Sequence, residues 1–191
     1  MNEEMKSAIE TCASVLKKGG TILYPTDTIW GIGCDATNQK AVEKVIKIKG
    51  RNQQKSFIIL LDDPEKIPLY ADNVPPIAYD LINKYINPLT IIYPDAKKVA
   101  KNVTASDGSI GIRVVRESFC VELIKTFGKP IVSSSANFSG HPTPLTFSDI
   151  DSDLKNMVDY VVPIRHDALN RVTPSTIIRI LSNGTFKIVR D

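Results

Sequence analysis

Apolar residues along the chain occur in two patterns, a helical repeat and short continuous runs, and together these predict an α/β protein. Apolar residues at steps of three and four predict helices over 2–18, 38–49, 75–86 and 119–127, with a short polar helix over 149–157. Short apolar runs predict strands over 21–24, 57–61, 89–93, 110–115, 130–132, 160–164, 175–180 and 185–190. Asn183-Gly184 predicts a hairpin between the last two strands. The expected fold is therefore a mixed sheet, parallel and antiparallel, with helices packed on it.

Two polar segments follow predicted strands and are candidate ligand loops. Pro25–Asp35 carries two threonines, two aspartates and two glycines, and Ser133–Gly140 carries four serines and one asparagine. Hydroxyls, an amide and free backbone N–H groups suit a polar ligand, whereas turns that cap their own backbone are the alternative. A third polar segment, 95–109, is interpreted as an exposed loop.

Four cations lie within the nine residues Lys47–Lys55, where a helix is predicted to end and a strand to begin. Gly50 suits a helix terminus, because glycine adopts the left-handed backbone conformation without steric cost. Cations in the last turn also stabilise the negative end of the helix dipole, which favours a solvated helix end. A binding site for a polyanion is the alternative, and this segment alone does not decide between them.

Arg113 places a charge in the middle of the predicted strand over 110–115. A buried arginine needs a partner, because an unpaired charge in an apolar environment is costly. The partner is either a carboxylate of the protein or a carboxylate or phosphate of a ligand, since the planar guanidinium fork fits both.

Composition indicates an ordinary globular protein. The chain has 191 residues, 42% hydrophobic and 24% charged, so we expect one domain over 1–191 with its core from about residue 7. A formal net charge of +3 suits an anionic substrate better than a nucleic-acid coat. Three scattered cysteines and two distant histidines predict no metal-ligating residues and a reduced, cytoplasmic protein. The chain has no apolar run near the roughly 20 residues of a membrane span, and no Rossmann or P-loop motif.

Four segments of the chain agree in order with one family. They are Tyr24–Ala36, Lys49–Arg51 with Lys55, Pro88–Thr90, and Ser133–Gly140. On these segments the chain resembles the YrdC/Sua5 family, the threonylcarbamoyl-AMP synthases. The likeness runs from about residue 7 to the C-terminus, and its K-x-R and S-x-N signatures together are specific.

The resemblance implies a twisted, YrdC/RibB-like mixed sheet with a large, concave, basic cavity. The implied activity is nucleotidyl transfer, in which L-threonine, bicarbonate and ATP give threonylcarbamoyl-AMP and pyrophosphate. The product would pass to a tRNA threonylcarbamoyl-transferase complex, which forms threonylcarbamoyladenosine in tRNA. Mg²⁺ is expected to accompany ATP and to bind mainly through its phosphate oxygens.

Carried over residue by residue, the resemblance implies two subsites. ATP would contact Arg51, Lys55, Ser109, Ser135, Thr143 and Arg190. L-Threonine would contact Thr28, Arg113, Ser133 and Ser175. The two signatures give the expected catalytic set, which is Lys49, Arg51, Ser135 and Asn137.

The chain departs from the family's usual pattern at several positions. Ser56 stands where the family commonly has proline, and Trp30 where it commonly has tyrosine. Asn87 replaces the usual glycine before Pro-Leu-Thr, and Val115 replaces the usual proline after the Arg-Val pair. Leu60 occupies the position of a histidine that lies near threonine in some members, so the details of the amino-acid pocket stay open.

Three functions other than synthesis are alternatives. Members of the family have been regarded as double-stranded RNA or tRNA binders and translation or ribosome-maturation factors, although the low net charge speaks against this here. The carbamoyl-transfer domain of hydrogenase maturation proteins occurs with zinc-finger cysteines that this chain lacks. A paralogue without synthesis activity is disfavoured by the intact S-x-N signature.

Overall fold

Nine strands, five α-helices and one 3-10 helix form the part of the chain that the structure describes. The structure is a computed structural model and describes residues 2–50, 56–163, 174–181 and 184–190. The helices are α1 (Glu3–Lys17), α2 (Gln39–Ile48), α3 (Pro76–Lys84), α4 (Ser118–Phe127) and α5 (Ser152–Met157), and the 3-10 helix is Pro64–Leu69. The strands are β1 (Thr21–Tyr24), β2 (Gly31–Cys34), β3 (Ile58–Leu61), β4 (Leu89–Tyr93), β5 (Ile110–Val114), β6 (Ile131–Ser135), β7 (Tyr160–Val161), β8 (Thr176–Ile180) and β9 (Phe186–Arg190).

The helices begin and end where their sequences indicate. The side chain of Asn2 caps α1 by accepting a hydrogen bond from the backbone N–H of Met5 at 2.9 Å. The apolar stripe of α1 is buried through Ala8, Ile9, Cys12, Ala13 and Leu16. At the end of α2, Gly50 adopts the left-handed conformation predicted for it, with φ of +55°. No helix among the described residues is long and apolar enough to cross a membrane.

The strands form one mixed sheet in the order β7-β1-β2-β6-β3-β5-β4-β8-β9. The pairs β1/β7, β3/β5 and β4/β8 are parallel, and the other neighbours are antiparallel. The predicted α/β class and mixed sheet are therefore confirmed. The predicted C-terminal hairpin is present as the antiparallel pair β8/β9, although Asn183 lies outside the described residues.

The middle of this sheet carries the polar residues singled out in the sequence. β6 lies between β2 and β3, with Ser133 opposite Ile58 and Ser135 opposite Gly31. On the other side of β3, β5 places Arg113 beside Leu60 and opposite Thr90 of β4. The sheet thus connects the serine-rich strand to the arginine-bearing strand through a single intervening strand.

Three expectations about loops were wrong. Pro25–Asp35 is not a loop throughout, because its second half forms β2. β6 continues to Ser135, so the first three serines lie on a strand and not beyond its end. The segment 95–109 is not uniformly exposed, because Ala100, Val103 and Ser109 are buried.

Candidate active site

A cavity of about 310 Å³ lies against β6, β5 and the start of β8. Nine predicted site residues line it, namely Thr28, Lys49, Arg113, Ser133, Ser135, Asn137, Thr143, Ser175 and Arg190. These residues come from both predicted subsites and from distant parts of the sequence. The cavity therefore brings together residues of both predicted subsites.

Lys49 joins the end of α2 to the turn that follows β6. Its side chain is buried, and its Nζ donates hydrogen bonds to the backbone carbonyls of Ser135 at 2.5 Å and Asn137 at 2.7 Å. The backbone N–H of Ser139 returns a bond to the carbonyl of Lys49 at 2.8 Å. The first residue of the K-x-R signature thus fixes the backbone of the S-x-N signature.

Asn137 shapes the same turn with one end of its amide. Its Nδ2 donates to the carbonyl oxygens of Phe138 at 3.1 Å and His141 at 2.7 Å. Its Oδ1 is buried and has no hydrogen-bond partner in the part of the chain that the structure describes. Because an unsatisfied buried acceptor is costly, this oxygen is suited to accept a hydrogen bond from a ligand in the cavity.

Arg113 is almost fully buried in β5 and pairs with one carboxylate. Its Nη2 lies 3.1 Å from Oδ1 of Asp27, which is an ion-pair contact and not an aligned hydrogen bond, while its Nε has no hydrogen-bond partner among the described residues. Both candidate partners named from the sequence thus remain relevant, because the protein carboxylate engages only part of the guanidinium. The unpaired Nε leaves a donor for a second acceptor at the cavity wall.

Ser175, which directly precedes β8, and Arg190 of β9 continue this wall, and Thr90 of β4 binds Ser175 without lining the cavity. The hydroxyls of Thr90 and Ser175 are hydrogen-bonded at 2.8 Å and are buried. The Nε and Nη2 of Arg190 donate to the backbone carbonyl of Ser175 at 3.3 Å and 2.8 Å. The cavity is therefore lined by two guanidinium groups, those of Arg113 and Arg190, and by the Ser175 hydroxyl that Thr90 binds.

The loop between β1 and β2 is held by threonine hydroxyls. Oγ1 of Thr26 donates to the carbonyl of Ile29 at 2.7 Å and accepts from the N–H of Thr28 at 3.1 Å. The hydroxyls of Thr26 and Thr28 lie 3.0 Å apart, and both side chains are buried. These hydrogen bonds cap the backbone of the loop, and Thr28 still lines the cavity. The two interpretations of the threonine-rich segment, backbone capping and a polar cavity wall, therefore apply together.

Electrostatics favour an anion in the cavity. Its described lining residues include Lys49, Arg113 and Arg190 and no carboxylate. Burial, and then the charge of Arg113, lowers the pKa of Arg190. An anion bound in the cavity would offset the repulsion that Arg190 experiences from Arg113.

Several predicted residues do not line the cavity or cannot be placed. Ser109 is buried, but its Oγ donates to Asp107 Oδ1 at 2.6 Å, and it is not among the lining residues. Arg51 and Lys55 lie outside the described residues.

Other lining residues were not predicted as site residues, namely Ile29, Trp30, Gly31, Ser56, Phe57, Ile58, Ser134, Ser139, Gly140 and Pro174. Most of them belong to the motif segments or adjoin them, so their position in those segments was the available signal.

Comparison with known proteins adds independent similarities. The profile of the Sua5, YciO and YrdC proteins, described as "Telomere recombination", matches residues 14–191. The threonylcarbamoyl-AMP synthase of Pseudoalteromonas translucida is 32% identical over 185 residues, which are 95% of this chain and 98% of that protein.

Solved structures show the same similarity. The structure of P. abyssi Sua5 complexed with L-threonine matches with a TM-score of 0.88 at 26% identity, over 100% of this chain and 55% of that chain. The present chain thus spans just over half the length of that Sua5 chain. E. coli YciO matches with a TM-score of 0.83 at 25% identity, over 100% of this chain and 91% of that chain.

Proposed function

Because the chain belongs to the Sua5/YciO/YrdC family, we propose that it is a threonylcarbamoyl-AMP synthase. The reaction converts L-threonine, bicarbonate and ATP into threonylcarbamoyl-AMP and pyrophosphate. The observation that carries this proposal is one cavity in which Arg113 shares a wall with Arg190 and faces the hydroxyls of β6. A buried arginine fits an amino-acid carboxylate, while cations and hydroxyls fit a triphosphate.

The proposed chemistry needs two bond-forming steps. Bicarbonate takes up a proton and loses water to give CO₂, and the threonine amine attacks its carbon, which forms a C–N bond and releases a proton. An oxygen of the resulting carbamate attacks the α-phosphorus of ATP, and the bond to the bridging oxygen breaks as pyrophosphate leaves. The product then serves a separate tRNA threonylcarbamoyl-transferase complex.

No side-chain nucleophile is required for these steps. The thiols of Cys12, Cys34 and Cys120 are buried, and burial raises the pKa of Cys12 to about 12 and the pKa values of the other two as well. These thiols are therefore protonated and unreactive at neutral pH. Catalysis would come from positioning of the reactants and from stabilisation of charge in a shielded cavity.

The amino-acid subsite is assigned to the wall formed by Arg113, Thr28, Ser133 and Ser175. Arg113 would bind the threonine carboxylate through its unpaired Nε. The hydroxyls of the other three residues line the cavity around it.

The nucleotide subsite is assigned to the serine-rich strand and the cations. Ser135, Thr143 and Arg190 line the cavity on this side, together with Lys49 and Asn137. Arg51, Lys55 and Ser109 are assigned to the same subsite on the family's pattern alone, because Ser109 does not line the cavity and Arg51 and Lys55 lie outside the described residues.

Mg²⁺ would enter with ATP. The described lining residues offer hydroxyls, an amide oxygen and cations but no carboxylate, which fits an ion held mainly by phosphate oxygens and water. The ion would supply charge neutralisation of the triphosphate.

The direct test is to incubate the protein with ATP, Mg²⁺, bicarbonate and L-threonine and to detect threonylcarbamoyl-AMP and pyrophosphate by mass spectrometry. Omitting L-threonine must remove the product. Arg113→Met is expected to lower kcat/KM for threonine about 100-fold, because it removes one partner of a charged hydrogen bond.

Arg116→Met is the matched control, because Arg116 lies three positions further along the chain and binds the backbone carbonyls of Tyr85 and Ile82 outside the cavity. Its kcat/KM for threonine should stay within about twofold of the unmodified protein. Absence of product, together with RNA binding that weakens steeply with salt, would instead support the RNA-binding alternative.

A further inference from the structure

Asp27 is a carboxylate that touches the amino-acid subsite without lining the cavity. Its side chain is 14% exposed, and its Oδ1 lies 3.1 Å from Nη2 of Arg113. It is absent from the cavity lining and instead lines a second cavity, of about 230 Å³, beside Pro88 and Glu117. Asp27 therefore reaches the first cavity only through Arg113.

The backbone around Asp27 is fixed from both sides. Thr26 and Thr28 are tied to each other and to Ile29 by the hydrogen bonds described above. On the preceding side, Sγ of Cys120 donates to the carbonyl of Pro25 at 3.4 Å. A carboxylate on such a constrained loop can determine the orientation of a longer and more flexible arginine.

We propose that Asp27 is a positioning residue for the threonine carboxylate, because it holds the Arg113 guanidinium by Nη2 and leaves Nε for the substrate. This inference rests on the proposed function and adds a residue to it. The pairing also keeps a compensating negative charge beside the buried Arg113 when the subsite is empty.

The surroundings of Asp27 shift the pKa of its carboxyl group in opposing directions. Burial raises the pKa of Asp27, the Arg113 charge opposes this rise, and Glu117 at the start of α4 adds to it. Cys120 and Tyr24 are buried nearby, and each has its pKa raised mainly by burial. Burial disfavours the ionised form of Asp27, yet its carboxylate contacts the guanidinium of Arg113. This contact points to a role in orienting Arg113.

A purely structural ion pair is the competing explanation, and the two differ in their effect on ligands. A structural pair would change stability and would affect threonine and ATP alike. A positioning residue would weaken threonine binding selectively, would act through the carboxylate of threonine, and would have no effect once Arg113 is gone.

Trp30 provides the readout, because it is the single tryptophan of the chain and lines the cavity. Its fluorescence is titrated with L-threonine, with L-threoninamide, which lacks the carboxylate, and with ATP and Mg²⁺. The proteins compared are the unmodified chain, Asp27→Asn, Arg113→Met and the double variant.

Asp62→Asn serves as the control for loss of a buried carboxylate. Asp62 has a 3% exposed side chain, pairs with Lys66 at 2.7 Å, and lines neither of the two cavities. We expect it to bind L-threonine and ATP with affinities within about twofold of the unmodified protein.

We expect Asp27→Asn to weaken L-threonine binding about tenfold or more while changing L-threoninamide and ATP binding by less than about twofold. In the Arg113→Met background the same substitution should change threonine binding by less than about twofold, because the two residues act as one unit. Additive losses, or equal losses for threonine and threoninamide, would overturn the proposal.

Two further outcomes are kept separate. If Asp27→Asn does not fold, Asp27→Glu replaces it, since it keeps the charge but moves it by one methylene; unchanged threonine affinity in that variant would contradict the proposal. If the unmodified protein neither binds L-threonine nor forms product, the proposed function itself fails. If it turns over normally but the losses of threonine affinity in Asp27→Asn and Arg113→Met add in the double variant, only the role of Asp27 is rejected.

Discussion

Lys49 illustrates how a signature residue can serve the site through the backbone. A lysine in a basic segment is expected to meet an anion directly, yet two of the three donors on its ammonium are taken by the carbonyls of Ser135 and Asn137. These carbonyls belong to the turn that presents Asn137 and Ser139 to the cavity. The cation thus contributes its charge to the cavity and at the same time sets the geometry of its serine-rich side.

Lys49→Met should lower the free energy of unfolding by about 2–3 kcal/mol, because it leaves two buried carbonyls without their charged donor. Urea unfolding followed by circular dichroism measures this change. Lys47→Met is the matched control, since Lys47 is exposed on the same helix, and its effect should stay within about 0.5 kcal/mol. Equal stability of the two variants would show that the Lys49 contacts contribute nothing.

Residue types and order were sufficient to predict nine of the residues that line the cavity, but not the pairing of Arg113 with Asp27. The hydroxyl-rich segments and Arg113 were recognisable because polar or charged residues at strand positions or strand ends need an explanation. The partner of Arg113 was not predictable, because Asp27 is far away in sequence and two aspartates occur in its segment. The contact arises only in the folded chain, where the loop before β2 reaches Arg113 although β6 and β3 lie between β2 and β5 in the sheet.

At the scale of elements, β2 is the strand that the sequence pattern did not reveal. Two of its four residues are glycines, which have low strand propensity, and the segment reads as a continuation of the preceding polar loop. The structure explains why residue 33 is a glycine. A Cβ there would lie 2.7 Å from Cε1 of Tyr24 and 2.8 Å from the backbone oxygen of Val132. Close packing between β1 and β6 therefore outweighs strand propensity in this segment.

Gly33→Ala should destabilise the fold by about 3 kcal/mol, because the added methyl group meets a backbone oxygen that cannot move independently. Gly111→Ala in β5 is the comparison, since its Cβ would meet the side chains of Ile58 and Thr90 at 3.4 Å, an ordinary contact distance. We expect a cost of about 1 kcal/mol or less there. Thermal and urea unfolding of both variants distinguish them, and a tolerated Gly33→Ala would contradict this account of β2.

At the scale of the whole molecule, two carboxylates couple stability to pH in opposite directions. Burial raises the pKa of Asp27 in the folded protein. The contribution of Asp27 to the free energy of unfolding is therefore fully present below its pKa in the unfolded chain. It is lost as pH rises through its pKa in the folded protein. Hydrogen bonds from the hydroxyl and the backbone N–H of Ser109 lower the pKa of Asp107 to about 2. Its contribution is present above the unfolded pKa and is lost as pH falls towards 2.

Asp107 also connects distant parts of the chain, because its Oδ2 pairs with Nη1 of Arg179 in β8 at 3.0 Å. Comparison of the unmodified protein with Asp107→Asn isolates its contribution from that of Asp27. We expect the unmodified protein to be more stable by up to about 1 kcal/mol at neutral pH, a limit set by solvent screening of a side chain that is 54% exposed.

The stability difference should shrink as pH falls below the unfolded pKa of the carboxyl group and should nearly vanish only below about pH 2, where Asp107 is protonated in both the folded and the unfolded state. Urea unfolding at a series of pH values measures it. Ser109→Ala should shift the loss to higher pH, because it removes the main cause of the lowered pKa. A difference that stays constant down to the acid limit would mean that Asp107 stabilises the fold without its charge, through hydrogen bonds that asparagine can also accept.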